Sequence, residues 1–227
     1  MVYYLGNQNY STQTNEINYA NLLMNYFLDF GTYYFEDTIH ENGLLSFEKA
    51  NFFGSATPRD WHVLTFEPSI SAFEANRSSI PIVSGLFKSF QAYNAAIFDY
   101  NGTIDFKWCP GNEAGSNCIG ESVAEISEVG SQIYSVSAID VATLIQEIIE
   151  KDNEASIYIK CDIEGSEFTV LPRILSIENV GQWVKEMFVE WHERFWNDKT
   201  NYHQIVQIKA SIEQSCSEKG IILHNWN

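Results

Sequence analysis

The stretch Lys160-Cys161-Asp162-Ile163-Glu164-Gly165-Ser166-Glu167 holds the residues most able to do chemistry. Three carboxylates lie within six residues, directly after the apolar run Ile157-Tyr158-Ile159. Carboxylates crowded in this way repel one another unless a cation, hydrogen-bond donors or a proton compensates them. With such compensation the same groups can take up a proton or hold a positively charged ligand. The plain structural alternative is a helix N-terminus enriched in acids to suit its dipole. That accounts for Glu164 and Glu167, and less well for Asp162, which the pattern places still on a strand. Further candidates stand where other apolar runs end: Asp29-Phe30-Gly31-Thr32, Glu67-Pro68, and Glu190 with His192.

These positions gain meaning if the runs are strands of one sheet. Five runs have strand length and near-continuous apolar character: Tyr26 to Phe30, Trp61 to Phe66, Tyr93 to Phe98, Ile157 to Asp162 and Met187 to Trp191. Such runs suit strands buried on both faces. Helical patterns lie between them. Val141, Leu144, Ile145, Ile148 and Ile149 repeat at helical spacing behind Asp140, a good N-cap. Asn201 to Lys219 predicts a long helix stopped by Gly220, Asp37 to Ala50 a weaker one, and Phe168 to Ile174 a third entered tightly through Gly165. Tyr100-Asn101-Gly102-Thr103 predicts a type I′ hairpin whose second strand is Ile104 to Trp108.

The expectation is an α/β domain with a mostly parallel central sheet, an antiparallel hairpin and helices on both faces. Open sheets of this kind bind ligands at the carboxyl ends of their strands, where the strand order switches. Glycine at 31 would let the backbone approach a ligand, and an acid such as Glu67 commonly takes the two hydroxyls of a ribose. Taken singly, Asp29 can cap a turn, Glu67 can mark a break before Pro68, and His192 can be a plain histidine. Their occurrence at successive strand ends favours a site.

Composition narrows the partners. The 227 residues, 45% hydrophobic and 15% aromatic, suffice for one sizeable core, so the chain is expected to form a single domain over 1–227, with 1–24 as a lead-in. Thirteen Lys and Arg stand against 30 Asp and Glu, a net charge of −17. That field repels nucleic acid and anionic membranes, although it can also serve solubility alone. Neither a membrane-spanning run nor a secretory signal is read from the sequence. The cysteines, Cys109, Cys118, Cys161 and Cys216, lack C-x-x-C spacing. This argues against a zinc knuckle and for reduced thiols in a cytoplasmic setting.

The run from Ile159 to Glu167, followed by Val170-Leu171, resembles the K-x-D-x-E-G-x-E segment of the FkbM family of S-adenosylmethionine-dependent methyltransferases. Other pieces fall in that family's order. Leu28-Asp29-Phe30-Gly31 resembles its first cofactor motif and Phe66-Glu67-Pro68 its F-E-P. Asn94-Ala95-Ala96-Ile97 and Asn101 to Phe106 resemble its third strand and hairpin, Ser137-Ala138-Ile139-Asp140 the segment before its next helix, and Val189-Glu190-Trp191-His192 its V-E-x-H. One departure is Phe35, with Tyr33 and Tyr34 before it, where the family usually has a second glycine.

The resemblance implies a Rossmann-like class I methyltransferase fold that binds S-adenosylmethionine across the strand ends. Glu67, with Pro68 beside it, would hold the ribose. Asp29, Gly31 and Thr32 would line the methionine side, Asn94 and Ala95 would lie near the adenine, and Asp162 and Ile163 near the sulfonium. The implied reaction is methyl transfer to a hydroxyl of a sugar or glycan-like small molecule. A hydroxyl needs a base or a metal to react near neutral pH. His192 is the first choice of base, with Asp162 and Glu164 as alternatives. A second mechanism has Asp162, Glu190 and His192 hold a divalent cation, magnesium by its oxygen ligands or manganese or zinc by the histidine. Two functions of other classes stay open: a cofactor-binding module without catalysis, and a glycan hydrolase using paired carboxylates.

Overall fold

The computed structural model describes residues 24–32, 58–108, 122–123, 132–193 and 202–226. Six strands form the main sheet: β1 (Asn25–Phe30), β2 (Trp61–Phe66), β3 (Ser89–Tyr93), β8 (Ser156–Cys161), β9 (Val184–Glu190) and β10 (Ile222–Trp226). Their order is β10-β9-β8-β1-β2-β3, and every neighbouring pair is parallel. From β1 the chain builds outward through β2 and β3, then returns to the other side of β1 and builds through β8, β9 and β10. The order therefore switches between β1 and β8, and the crevice of an open α/β sheet lies at that point.

Alternation along the strands places a core on each face. On β1, Tyr26, Leu28 and Phe30 join one cluster with Ile157 and Ile159 of β8 and Met187 and Val189 of β9. That cluster is completed by α3 (Val141–Lys151), α4 (Glu167–Leu175) and α5 (Tyr202–Lys219), through Val141, Ile145, Ile148, Val170, Leu171, Ile174, Ile212 and Cys216. Phe27 points the other way and packs with Trp61, Val63 and Phe188 against α1 (Ile70–Asn76) and α2 (Ile80–Ser84), through Phe73, Ile80 and Val83. Helices thus cover both faces.

A second, mixed sheet, of order β4-β7-β5-β6, is formed by β4 (Ala96–Phe98), β5 (Gly102–Trp108), β6 (Ser122–Val123) and β7 (Gln132–Asp140). Two sequence expectations change here. The run Tyr93 to Phe98 is not one strand: it ends β3 at Tyr93, turns at Asn94 and Ala95, and enters the other sheet at Ala96. Asn101-Gly102 is also not the turn of a two-strand hairpin, because β7 lies between β4 and β5, parallel to the first and antiparallel to the second. The Asn101 side chain instead accepts the Asp140 N–H (2.9 Å) and ties the turn to β7.

The expected cap at Asp140 forms and does more. Its carboxylate accepts from Ala142 N (3.0 Å) and Thr143 Oγ1 (3.0 Å), and Arg173 of α4 grips it at both oxygens (3.0 and 2.6 Å). The Arg173 hydrogen bonds hold the Asp140 carboxyl below its ordinary range. A carboxyl depressed in the folded state contributes stability above its unfolded pKa, near 4, and that contribution is lost as pH falls through the folded value. Asp140→Ala is therefore expected to cost about 1–2 kcal/mol in urea unfolding at neutral pH. The gap to the wild type should narrow in strong acid.

Candidate active site

Three strand ends are stitched together at the switch point. Gly31 follows β1 with φ +77°, and its N–H donates to the Phe66 carbonyl (3.0 Å), as does that of Thr32 (3.3 Å). Asp162, one residue beyond β8 and not on it, donates its N–H to the Phe30 carbonyl (3.1 Å). A Cβ on residue 31 would lie 1.7 Å from the Asp162 carbonyl oxygen, so glycine is required for the two exits to pass. The close approach is to protein backbone, whatever ligand lies beyond. The Thr32 hydroxyl donates to the Asp29 carbonyl (3.4 Å).

Lys160 crosses this junction. It pairs in register with Asp29, so the two side chains share a face of the sheet. Its ammonium lies 3.3 Å from Asp29 Oδ1 and 3.5 Å from Asp162 Oδ2, and it donates to the Gly31 carbonyl (2.9 Å). Burial alone would lower the lysine pKa, but the two carboxylates outweigh it and push it up to about 12. One cation thus anchors both acids.

Glu67 leaves β2 buried, at 5% exposure. Its Oε1 accepts the Ser69 N–H (2.7 Å), while the Ser69 hydroxyl caps α1 by accepting from Ala72 N (3.3 Å). Its own N–H donates to the Tyr93 carbonyl (3.0 Å). Asn94 spends its side-chain amide on the carbonyls of Glu67 (2.8 Å) and Pro68 (3.2 Å), which holds the exit of β2 against the break after β3. Ala95 is buried beside that break.

The acid-rich turn converges on His192. Glu164 and Gly165 have φ of +51° and +100°, a left-handed turn that reverses the chain before α4. Glu167 is fully buried, and its carboxylate accepts from Ile163 N (3.1 Å) and from Gly165 N (3.2 and 3.0 Å). It also lies 2.8 Å from His192 Nδ1. An acceptor-only carboxylate requires Nδ1 to carry the proton, which leaves Nε2 as the nitrogen facing the site. Nε2 is 3.4 Å from Glu164 Oε2, 3.6 Å from Glu190 Oε1 and 3.8 Å from Asp162 Oδ1. Burial would lower the pKa of this imidazole, but the Glu167 hydrogen bond and the charges of Glu167, Glu164 and Asp162 raise it instead. Trp191, the residue before His192, donates to Asn225 Oδ1 (2.9 Å) and packs on Phe168.

The sequence-derived residues thus gather at the carboxyl ends of the parallel strands in three adjoining groups. Asp29, Gly31, Thr32, Asp162 and Ile163 lie at the switch point. Glu67, Pro68, Asn94 and Ala95 lie beside β2. Asp162, Glu164, Glu190 and His192 form the acid cluster. Two residues of the acid-rich stretch were given no site role from the sequence. Lys160 carried a signal, as a lysine within a buried strand. Glu167 passed for an ordinary helix-start acid. Tyr33, Tyr34 and Phe35 and the helix expected over Asp37 to Ala50 lie outside the described residues, as do Cys109, Cys118 and most of the two segments expected from the sequence to shape an acceptor pocket, Cys109 to Ser122 and Trp191 to Thr200. Among the described residues Cys161 and Cys216 are free and buried, and no helix is long and apolar enough to cross a membrane.

Among known proteins, the family model described as the methyltransferase FkbM domain matches residues 43–215. The match begins after β1, so Asp29 and Gly31 are tied to the site by the sheet and not by that match. No curated protein and no solved structure matches the chain.

Proposed function

Because the chain belongs to the FkbM methyltransferase domain family, we propose that it methylates a hydroxyl oxygen of a sugar or glycan-like small molecule, with S-adenosylmethionine as donor. The observation that carries the cofactor assignment is Glu67, a buried carboxylate at the end of β2, beside the switch point, whose Oε1 accepts the Ser69 N–H and whose backbone carbonyl is held by the Asn94 amide. A carboxylate fixed there suits a vicinal diol, and the acids around the crevice suit a cationic sulfonium. The residues present therefore fit the cofactor: Glu67 for the ribose, Asp29 and the Gly31-Thr32 backbone for the methionine end, Asn94 and Ala95 beside the adenine.

When bound, S-adenosylmethionine supplies an electrophilic methyl group on sulfur. The chain must orient the acceptor and take its proton. Glu164 is assigned the proton. His192, whose raised pKa keeps the ring protonated to higher pH and so less available to accept a proton, is assigned to position the cluster.

Calorimetry tests the cofactor site. The wild type is expected to bind S-adenosylmethionine, and Glu67→Ala or Glu67→Gln to weaken binding roughly 10- to 150-fold, as for lost hydrogen bonds to a charged group. Absence of wild-type binding at millimolar cofactor would rule the proposal out. Binding without any S-adenosylhomocysteine formed across a panel of hydroxylated acceptors would leave a cofactor-binding module in place of an enzyme.

A further inference from the structure

We propose that Asp162, Glu190 and His192 form a divalent-cation site, and that it takes manganese(II) in preference to magnesium. Each residue offers one donor atom, and the three atoms lie within 4.8 Å of one another. They come from separate places, the exit of β8 and the end of β9 with the residue two beyond it, so only the fold brings them together. Donors bonded at about 2.0–2.2 Å to one ion sit roughly 3–4.4 Å apart. The distances from His192 Nε2 to Glu190 and Asp162, 3.6 and 3.8 Å, fall in that span.

What separates this group from an ordinary acidic patch is the support of the imidazole. Ligating histidines almost always donate their other ring nitrogen to a carboxylate or carbonyl, which fixes both tautomer and ring. His192 does so through Nδ1 to Glu167, itself buried and held by two backbone N–H groups. The nitrogen left over points at three carboxylates at 3.4–3.8 Å. Lys160 serves Asp29 and the far oxygen of Asp162, Oδ2, while Oδ1 is the atom nearer His192. Such a convergence requires positive charge at its centre, either a proton on Nε2 or a metal ion. The mixed nitrogen and oxygen donor set favours manganese over magnesium, which prefers oxygen alone. The existence of the site does not rest on the methyltransferase function, but its role does: a bound cation would lower the pKa of an acceptor hydroxyl and leave Glu164 to receive the proton.

Electron paramagnetic resonance of free manganese(II), titrated with the metal-stripped full chain, reads the site without turnover. Loss of the free-ion signal at one equivalent per chain is expected. Asp162→Asn and Glu190→Gln should each weaken uptake at least about tenfold, and so should Glu167→Gln, which removes the support of the imidazole. Glu186→Gln, also on β9 but paired with His224, should leave uptake unchanged. His192→Ala risks the fold because the ring is buried, so the partly exposed Glu190 carries the test. No uptake at millimolar manganese, or uptake equal in wild type, Asp162→Asn and Glu190→Gln, overturns the site and leaves a proton on Nε2. Cofactor binding without manganese uptake would sink the cation site and spare the methyltransferase. Manganese uptake without cofactor binding would do the reverse.

Discussion

Gly31→Ala is expected to destabilise the protein by roughly 3 kcal/mol or more and to abolish cofactor binding. Two costs add. The backbone at residue 31 has φ +77°, which costs a residue with a Cβ about 1–2 kcal/mol. The added methyl also lands 1.7 Å from the Asp162 carbonyl oxygen, a backbone atom that cannot rotate away. Overpacking of a fixed neighbour typically costs about 1–3 kcal/mol. Relief requires β1 and β8 to separate, which breaks the bond from Asp162 N to Phe30 O and moves Lys160 off the Gly31 carbonyl. In a chain of this size the loss corresponds to a fall in Tm of roughly 6–12 °C. Gly220→Ala is the internal comparison. That glycine has a similar φ of +72°, but nothing lies within 4 Å of the added atom, so only the backbone cost of about 1–2 kcal/mol applies. Equal losses at the two positions would show that the crossing of strand exits is not tight.

Gly31 also shows what was legible in the sequence. Its place after an apolar run marked it as a loop glycine near a ligand, but the atom it avoids belongs to residue 162 and depends on the tertiary fold. β10 and most of β3 were missed in the sequence, whereas β1, β2, β8 and β9 were readable because each is largely buried and mostly apolar. The break at Asn94 and Ala95 was not, because apolar character says nothing about which sheet a residue joins. The pairing of β7 between β4 and β5 was hidden for the same reason: the Asn-Gly turn is a local signal, whereas its partner Asp140 lies 39 residues away. In the site, Asp29, Glu67, Asp162 and His192 could be found because strand ends are where such folds keep ligands. Glu167 could not, since an acid at a helix start has a sufficient local explanation, and its bond to His192 spans 25 residues.

Lys160→Met is expected to cost about 3–5 kcal/mol, the range for removing one partner of a buried ion pair. The loss comes from what the lysine leaves behind more than from its own contacts. Asp29 is 1% exposed, and without the ammonium 3.3 Å away its charge has lost both a counterion and a donor. The Gly31 carbonyl loses a donor as well. Methionine fills nearly the same volume, so a cavity contributes little. The distinguishing experiment is a double-mutant cycle. If the penalty is the stranded carboxylate, Lys160→Met with Asp29→Asn should recover most of the stability that Lys160→Met alone forfeits, with an interaction energy of about 1–3 kcal/mol. Urea unfolding of the four proteins gives that number directly. Simple additivity of the two changes would mean that Lys160 stabilises through its packing, and that Asp29 keeps its place at the crevice without it. With the coupling present, a single buried cation on β8 is what allows two acids to stand at the switch point at neutral pH.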